Sequence, residues 1–130
     1  MSKFRYPGRA LVAAGALVLV GALGVDAAHA KDGDVRTSGT CTAGAKWKLK
    51  LGPRDGGIET EFEVDSNRTG QAWTVKITDN GVQVFSGRAT TAGPSGSFTV
   101  RRRITDRAGR DNVVALATFN GQTCRGTASV

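Results

Sequence analysis

The chain has 130 residues, a formal net charge of +7, 39% hydrophobic residues, one His and two Cys. That length admits one small domain, or one domain plus a processed segment, and excludes a multidomain enzyme or a doubly wound nucleotide-binding fold beside a substrate domain. The composition is too ordinary for a disordered chain.

Residues 1–9 carry Lys3, Arg5 and Arg9 and no acid. Residues 10–25 are uncharged and mostly Ala, Val, Leu and Gly, and Ala28-His29-Ala30 comes soon after. A basic segment, an apolar segment and an A-x-A site, in that order, predict a secretory signal peptide over residues 1–30. A run of about sixteen apolar residues rises only about 24 Å, short of a hydrocarbon core of about 30 Å, so a membrane span is the weaker reading. No later apolar run is as long. The expected product is residues 31–130, secreted and without a membrane span. It keeps fifteen Lys and Arg against ten acids, and it loses His29, the only His.

Residues 31–37 read as a flexible polar arm ahead of a domain over 38–130. Asp32-Gly33-Asp34 supplies too few carboxylates for a calcium site. A short strand is expected around Ser38 to Thr42. Beyond it, Trp47, Leu49 and Leu51 alternate with Lys46, Lys48 and Lys50; Ile58, Thr60, Phe62 and Val64 alternate with Glu59, Glu61 and Glu63. Period two predicts two half-buried strands joined by the Gly/Pro-rich break at 52–57. An antiparallel register with Leu51 opposite Ile58, Leu49 opposite Thr60 and Trp47 opposite Phe62 satisfies both faces. It sets Lys50 against Glu59, Lys48 against Glu61 and Lys46 against Glu63. A one-residue slip would turn one strand's charges toward the core.

Trp73, Val75 and Ile77 alternate with Thr74, Lys76 and Thr78, and Asn80-Gly81 follows as a hairpin signal. The return strand, Val82 to Arg88, then places Ile77 opposite Val84. Phe85 falls on the Lys76 face unless a bulge or a second buried face intervenes. Further strands are expected over Ser95 to Thr105, with Phe98 and Val100 on one side, over Asp111 to Phe119, and over Gln122 to Val130 beyond Asn120-Gly121. No segment shows a helical period. The pattern is that of an all-β sandwich or barrel, and the fold class expected is a single antiparallel sandwich of about seven to eight strands.

Cys41 and Cys124 are the only thiols. After export such a pair forms one intramolecular disulfide, and the absence of a CxxC spacing argues against a redox enzyme. A loop of this length is stabilised by about 4.6 kcal/mol in the chain-entropy model.

Taken together, Gly39-Thr40-Cys41, Trp47-Lys48-Leu49-Lys50, the run from Glu61 to Arg68, Gly93-Pro94-Ser95-Gly96-Ser97-Phe98 and Thr123-Cys124-Arg125-Gly126 resemble a group of small secreted actinobacterial proteins. The resemblance covers nearly all of residues 31–130. It implies an exported β-sandwich similar to immunoglobulin-like or fibronectin-like domains, and it implies no activity. Such folds host many unrelated roles.

Without His in the secreted product, Ser–His–Asp and Cys–His catalysis are excluded. With both Cys oxidised there is no thiolate nucleophile and no zinc site. No catalytic residue, metal or cofactor is expected. Glu59, Glu61 and Glu63 stand at about 6.8 Å intervals, the carboxylate spacing of an inverting glycosidase. Their Lys partners would lower the carboxylate pKa, which a general acid needs raised, and an open strand face is not a cleft. Trp47, Phe62, Trp73 and Phe98 point inward and offer no stacking platform.

The strongest surface feature is Arg101-Arg102-Arg103, followed by Arg107 and Arg110. Guanidinium groups pair well with phosphate and carboxylate. These five residues are the expected ligand-binding set, against the plainer reading of a solvated strand whose charges aid solubility and pair with Asp106 and Asp111, and the expected partner is an anionic cell-envelope polymer rather than nucleic acid. The alternative is a small secreted inhibitor or effector that meets an extracellular protein through a loop near Arg54. Asn67-Arg68-Thr69 fits a glycosylation pattern and reads more simply as a polar turn.

Overall fold

The computed structural model describes residues 33–130. The expected signal peptide over 1–30 lies outside the described residues. The chain forms eight strands: β1 (Val35–Thr40), β2 (Lys46–Arg54), β3 (Gly57–Asp65), β4 (Ala72–Asp79), β5 (Val82–Thr90), β6 (Ser97–Thr105), β7 (Asn112–Phe119) and β8 (Gln122–Ser129). They make two four-stranded antiparallel sheets, ordered β1-β2-β3-β6 and β5-β4-β7-β8. The fold is therefore all-β with two sheets. In the immunoglobulin constant-type order the second and third strands occupy opposite sheets. Here β2 and β3 are hairpin neighbours within one sheet, which differs from that order. No helix among the described residues is long and apolar enough to cross a membrane.

The alternation in sequence places one core between the sheets. Leu49, Leu51, Ile58, Phe62 and Val64 come from the first sheet, and Trp73, Val75, Ile77, Val113 and Ala115 from the second. Trp73 joins the layers: its ring lies 6.3 Å from Phe98 on β6 and 5.5 Å from Phe119 on β7. Trp47 is half-buried, and its indole lies against Gly39 and Gly126, where an added Cβ would come within 2.8 Å of the ring. Those two glycines let a large side chain fill the seam between β1, β2 and β8. The Cys41–Cys124 disulfide closes the same seam. Beside it Thr37 Oγ1 donates to the Thr127 carbonyl at 2.8 Å, and the Thr42 amide donates to the Thr123 carbonyl at 3.0 Å.

Three expectations need correction. Residues 35–37, expected to belong to a flexible arm, instead open β1, which starts at Val35 and pairs it with Leu51. Asp34 is held as well, by Arg54 at 2.9 Å. The β2–β3 register keeps the expected faces and shifts by two residues: Leu51 faces Thr60, Leu49 faces Phe62 and Trp47 faces Val64. The cause is the turn. Asp55 and Gly56 take φ of 50° and 79°, so a tight two-residue turn replaces the longer loop. On β4–β5 the register shifts between Ile77 and Thr78, so Ile77 faces Phe85 rather than Val84. The bulge returns Phe85 to the core side, where it packs half-buried.

Candidate functional site

The outer face of the first sheet carries most of the charge that sequence singles out. Register sets Arg36, Lys50, Glu61 and Arg101 abreast on four strands, and Lys48 beside Glu63. Opposite charges pair across the strands. Lys50 Nζ lies 3.2 Å from Glu61 Oε2, Arg101 Nε 3.8 Å from the same oxygen, and Lys48 Nζ 4.0 Å from Glu63. Arg103 donates to Glu59 Oε2 at 2.9 Å and to the carbonyls of Arg54 and Asp55 at 2.8 and 3.0 Å. This face encloses a shallow concavity of about 560 Å³, walled by cations and carboxylates alike. The three Glu residues at glycosidase spacing are each held by a cation.

The five expected Arg residues do not form one surface. Arg101 and Arg103 share the outer face and are paired there. Arg102 takes the opposite side of β6, with its Cζ 5.3 Å above the Phe85 ring, at the seam between β6 and β5. Arg107 sits on the β6–β7 loop with its Nε 3.5 Å from Asp79 Oδ2. The carbonyl of Arg110 accepts from Asn80 Nδ2 at 3.1 Å. Arg54 ends β2 opposite Gly57, and its guanidinium binds Asp34 and the Pro53 carbonyl. That hydrogen bond holds the Asp34 carboxyl below the usual carboxylate range. An inhibitor loop needs an extended, unpaired segment, whereas this stretch is paired strand and tight turn.

The outer face of the second sheet is different, and sequence reasoning missed it. Thr74 and Lys76 of β4, Ser86 and Arg88 of β5, Thr118 of β7, and Arg125 and Thr127 of β8 point outward and are exposed. Leu116 lies half-buried between Lys76 and Arg125, its neighbours on either side. The only acid in these four strands is Asp79, which is fully buried. Lys76, Arg88 and Arg125 make no ion pair among the described residues. Lys76 and Arg125 stand two strand spacings apart, roughly 10 Å, and Arg88 is diagonal to Lys76 at about 7–8 Å. The signal was present as an absence: β5, β7 and β8 contain no Asp or Glu.

A buried carboxyl pair occupies the pole beyond β4. Asp79 and Asp111 are both fully buried. Among the described residues no N–H or hydroxyl donor makes a hydrogen bond to the Asp79 carboxyl oxygens, which leaves the Asp111 carboxyl as their neighbour. Contact between two carboxyls is a hydrogen bond only when one is protonated. Burial pushes the Asp79 carboxyl up to about 6, Asp111 and Asp106 add to the rise, and Arg107 opposes it. The Arg107 amide donates to Asp111 Oδ1 at 3.3 Å, so the pair also anchors the β6–β7 loop. Among the described residues no three His, Cys, Asp or Glu side chains are placed to hold a metal ion. Comparison with family models, with curated proteins and with solved structures returns no match.

Proposed function

We propose that the chain is a secreted, non-enzymatic binding module that holds an anionic envelope polymer against the outer face of its second sheet. Lys76, Arg88 and Arg125 make the ionic contacts, and the surrounding Thr and Ser hydroxyls donate to the same acceptor oxygens. One observation carries the reading: this four-stranded face has cations and no exposed carboxylate. On the opposite face a polyanion would have to displace Glu59, Glu61 and Glu63 from their partners before gaining anything. The resemblance to small secreted actinobacterial proteins and the disulfide agree with an extracellular setting.

The magnitudes fit a polymer better than a small anion. Each cation near an anionic surface contributes about 1 kcal/mol, so three give about 3 kcal/mol, a millimolar single contact. Repeated charges along one polymer raise the effective concentration and hence the retention. Sedimentation of the oxidised chain with isolated bacterial cell walls tests this. Retention is expected at low salt, fading about tenfold or more on moving to moderate salt. Replacing Lys76, Arg88 and Arg125 together by Gln abolishes it, whereas Lys48→Gln with Arg101→Gln leaves it. Retention that ignores salt, or that survives the triple replacement, overturns the reading.

A further inference from the structure

The pole that carries the disulfide holds a second concavity, of about 320 Å³. It is lined by the β1–β2 turn at residues 43–45, by Asn67, Arg68 and Gln71 of the β3–β4 loop, and by Gln122 at the start of β8. Its size falls at the lower end of the range for small-molecule sites, about 300–1,000 Å³. None of its lining residues is acidic or aromatic.

The walls are fixed by hydrogen bonds made underneath them. Thr91, only 2% exposed, acts as a clamp. Its hydroxyl donates to the Arg68 carbonyl at 2.6 Å and accepts from the Gln71 amide at 3.0 Å. Its backbone closes the same loop, taking the Gly70 amide at 2.7 Å and donating to the Gln71 carbonyl at 2.9 Å. The next turn packs on from behind: a Cβ on Gly96 would stand 2.3 Å from the Arg68 nitrogen. Across the cavity, the Cys41 amide donates to the Ala45 carbonyl at 2.7 Å and ties that turn beside the disulfide.

The side chains on this rigid frame are left with unused capacity. Gln71 Oε1 accepts from the Trp73 indole at 3.2 Å, which fixes the amide and leaves Nε2 as a donor. The Arg68 guanidinium and the side-chain amides of Asn67 and Gln122 make no hydrogen bond or ion pair among the described residues. One unpaired cation beside several amides complements one carboxylate beside several hydroxyls. Without an aromatic platform, a neutral sugar lacks an anchor here, so the carboxylate is the discriminating group.

We propose that this pole binds a single uronate-type unit, a hydroxylated ring bearing a carboxylate. The carboxylate meets Arg68, and the ring hydroxyls meet the amides of Gln71, Gln122 and Asn67. The site does not rest on the polymer reading, because none of these residues belongs to the outer face of the second sheet.

Titrating the ¹⁵N-labelled oxidised chain with D-glucuronate tests it, with D-glucose and acetate as controls. Glucuronate is expected to shift the side-chain amides of Gln71 and Gln122 and the Arg68 Nε resonance, saturating in the millimolar range as suits a few charge-assisted bonds. Arg68→Ala and Gln122→Ala each weaken the titration at least about fivefold, a loss of about 1 kcal/mol. Glucose and acetate shift these groups less than about a tenth as much at equal concentration. Neither replaced side chain makes a hydrogen bond or ion pair among the described residues, so strand amide positions serve as the folding check. Three results overturn the proposal: no glucuronate shift at about 50 mM, equal shifts with glucose or acetate, or an unchanged titration in Arg68→Ala. The Lys76, Arg88 and Arg125 triple replacement leaves the glucuronate titration intact, which separates this site from the polymer face.

Discussion

The two outer faces of this sandwich solve the same problem in opposite ways. Both are exposed, both lie on four antiparallel strands, and both carry cations. On the first sheet β3 runs between β2 and β6 and delivers Glu59, Glu61 and Glu63 to the cations on either side. On the second sheet no strand supplies an exposed acid, and Lys76, Arg88 and Arg125 make no ion pair among the described residues. In the densest run of Arg, Arg101 and Arg103 are therefore held by carboxylates and Arg102 lies over Phe85, whereas the scattered cations of the second sheet have no such partner among the described residues. Paired charge specifies register; the cations of the second sheet have no such part in its pairing.

That contrast can be broken most severely at the seam that joins the faces. Reducing Cys41–Cys124, or replacing both by Ala, is expected to lower stability by as much as about 4–5 kcal/mol. Thermal or denaturant unfolding measures the loss. Because the bond ties the end of β1 to β8, both edges should gain hydrogen exchange ahead of β3 and β4.

The Asp79–Asp111 pair is the next largest effect. Asp79 titrates at 3.8 when unperturbed and at about 6 in the fold. Between those values the folded state binds more protons than the unfolded one, so this pair's contribution is full below about pH 4 and is lost as pH rises through about 6. The loss is up to about 3 kcal/mol, shared with Asp111 through their coupling. Asp79→Asn keeps a neutral side chain at all pH values. It should flatten the fall in melting temperature between pH 4 and pH 7. A slope equal to that of the parent chain would contradict the shared proton.

Smaller replacements sharpen the comparison of faces directly. Arg103→Ala removes the bonds to Glu59 and to two carbonyls at the β2–β3 turn. It should cost about 1–2 kcal/mol. Lys48→Ala removes an exposed pair at 4.0 Å and should cost no more than about 0.5 kcal/mol. Lys76→Ala should fall within about 0.5 kcal/mol of zero. Denaturant midpoints rank the three. A large loss at Lys76 would show that its charge has an internal partner after all.

How much of this was legible in the sequence depended on range. Period two in residues 46–51 and 58–64 is local, and it placed every large core residue of β2 and β3 on the correct face. The register needed the turn geometry, and Asp55-Gly56 was hidden inside a longer Gly/Pro-rich break. Phe85 needed the bulge at Ile77 and Thr78, which the Asn80-Gly81 hairpin signal does not contain. Neutralisation of Arg101 and Arg103 was invisible for a different reason. It depends on β6 lying beside β3, forty residues away in sequence, and no short-range pattern encodes that pairing. Asp79 and Asp111 are separated by 32 positions and meet only because β4 and β7 are neighbours. The cavity at the disulfide pole likewise draws on three separate segments that only the fold assembles.

The most direct test asks which face a polyanion touches. The ¹⁵N-labelled oxidised chain, titrated with a short poly(glycerol phosphate) at low salt, reports this through its backbone amides. The account predicts shifts clustered on β4, β5 and β8 around Lys76, Arg88 and Arg125, reversed by added salt, with β2 and β3 unmoved. Shifts centred instead on Lys48, Lys50 and Arg101 would contradict it, since the polymer would then be competing successfully with Glu61 and Glu63.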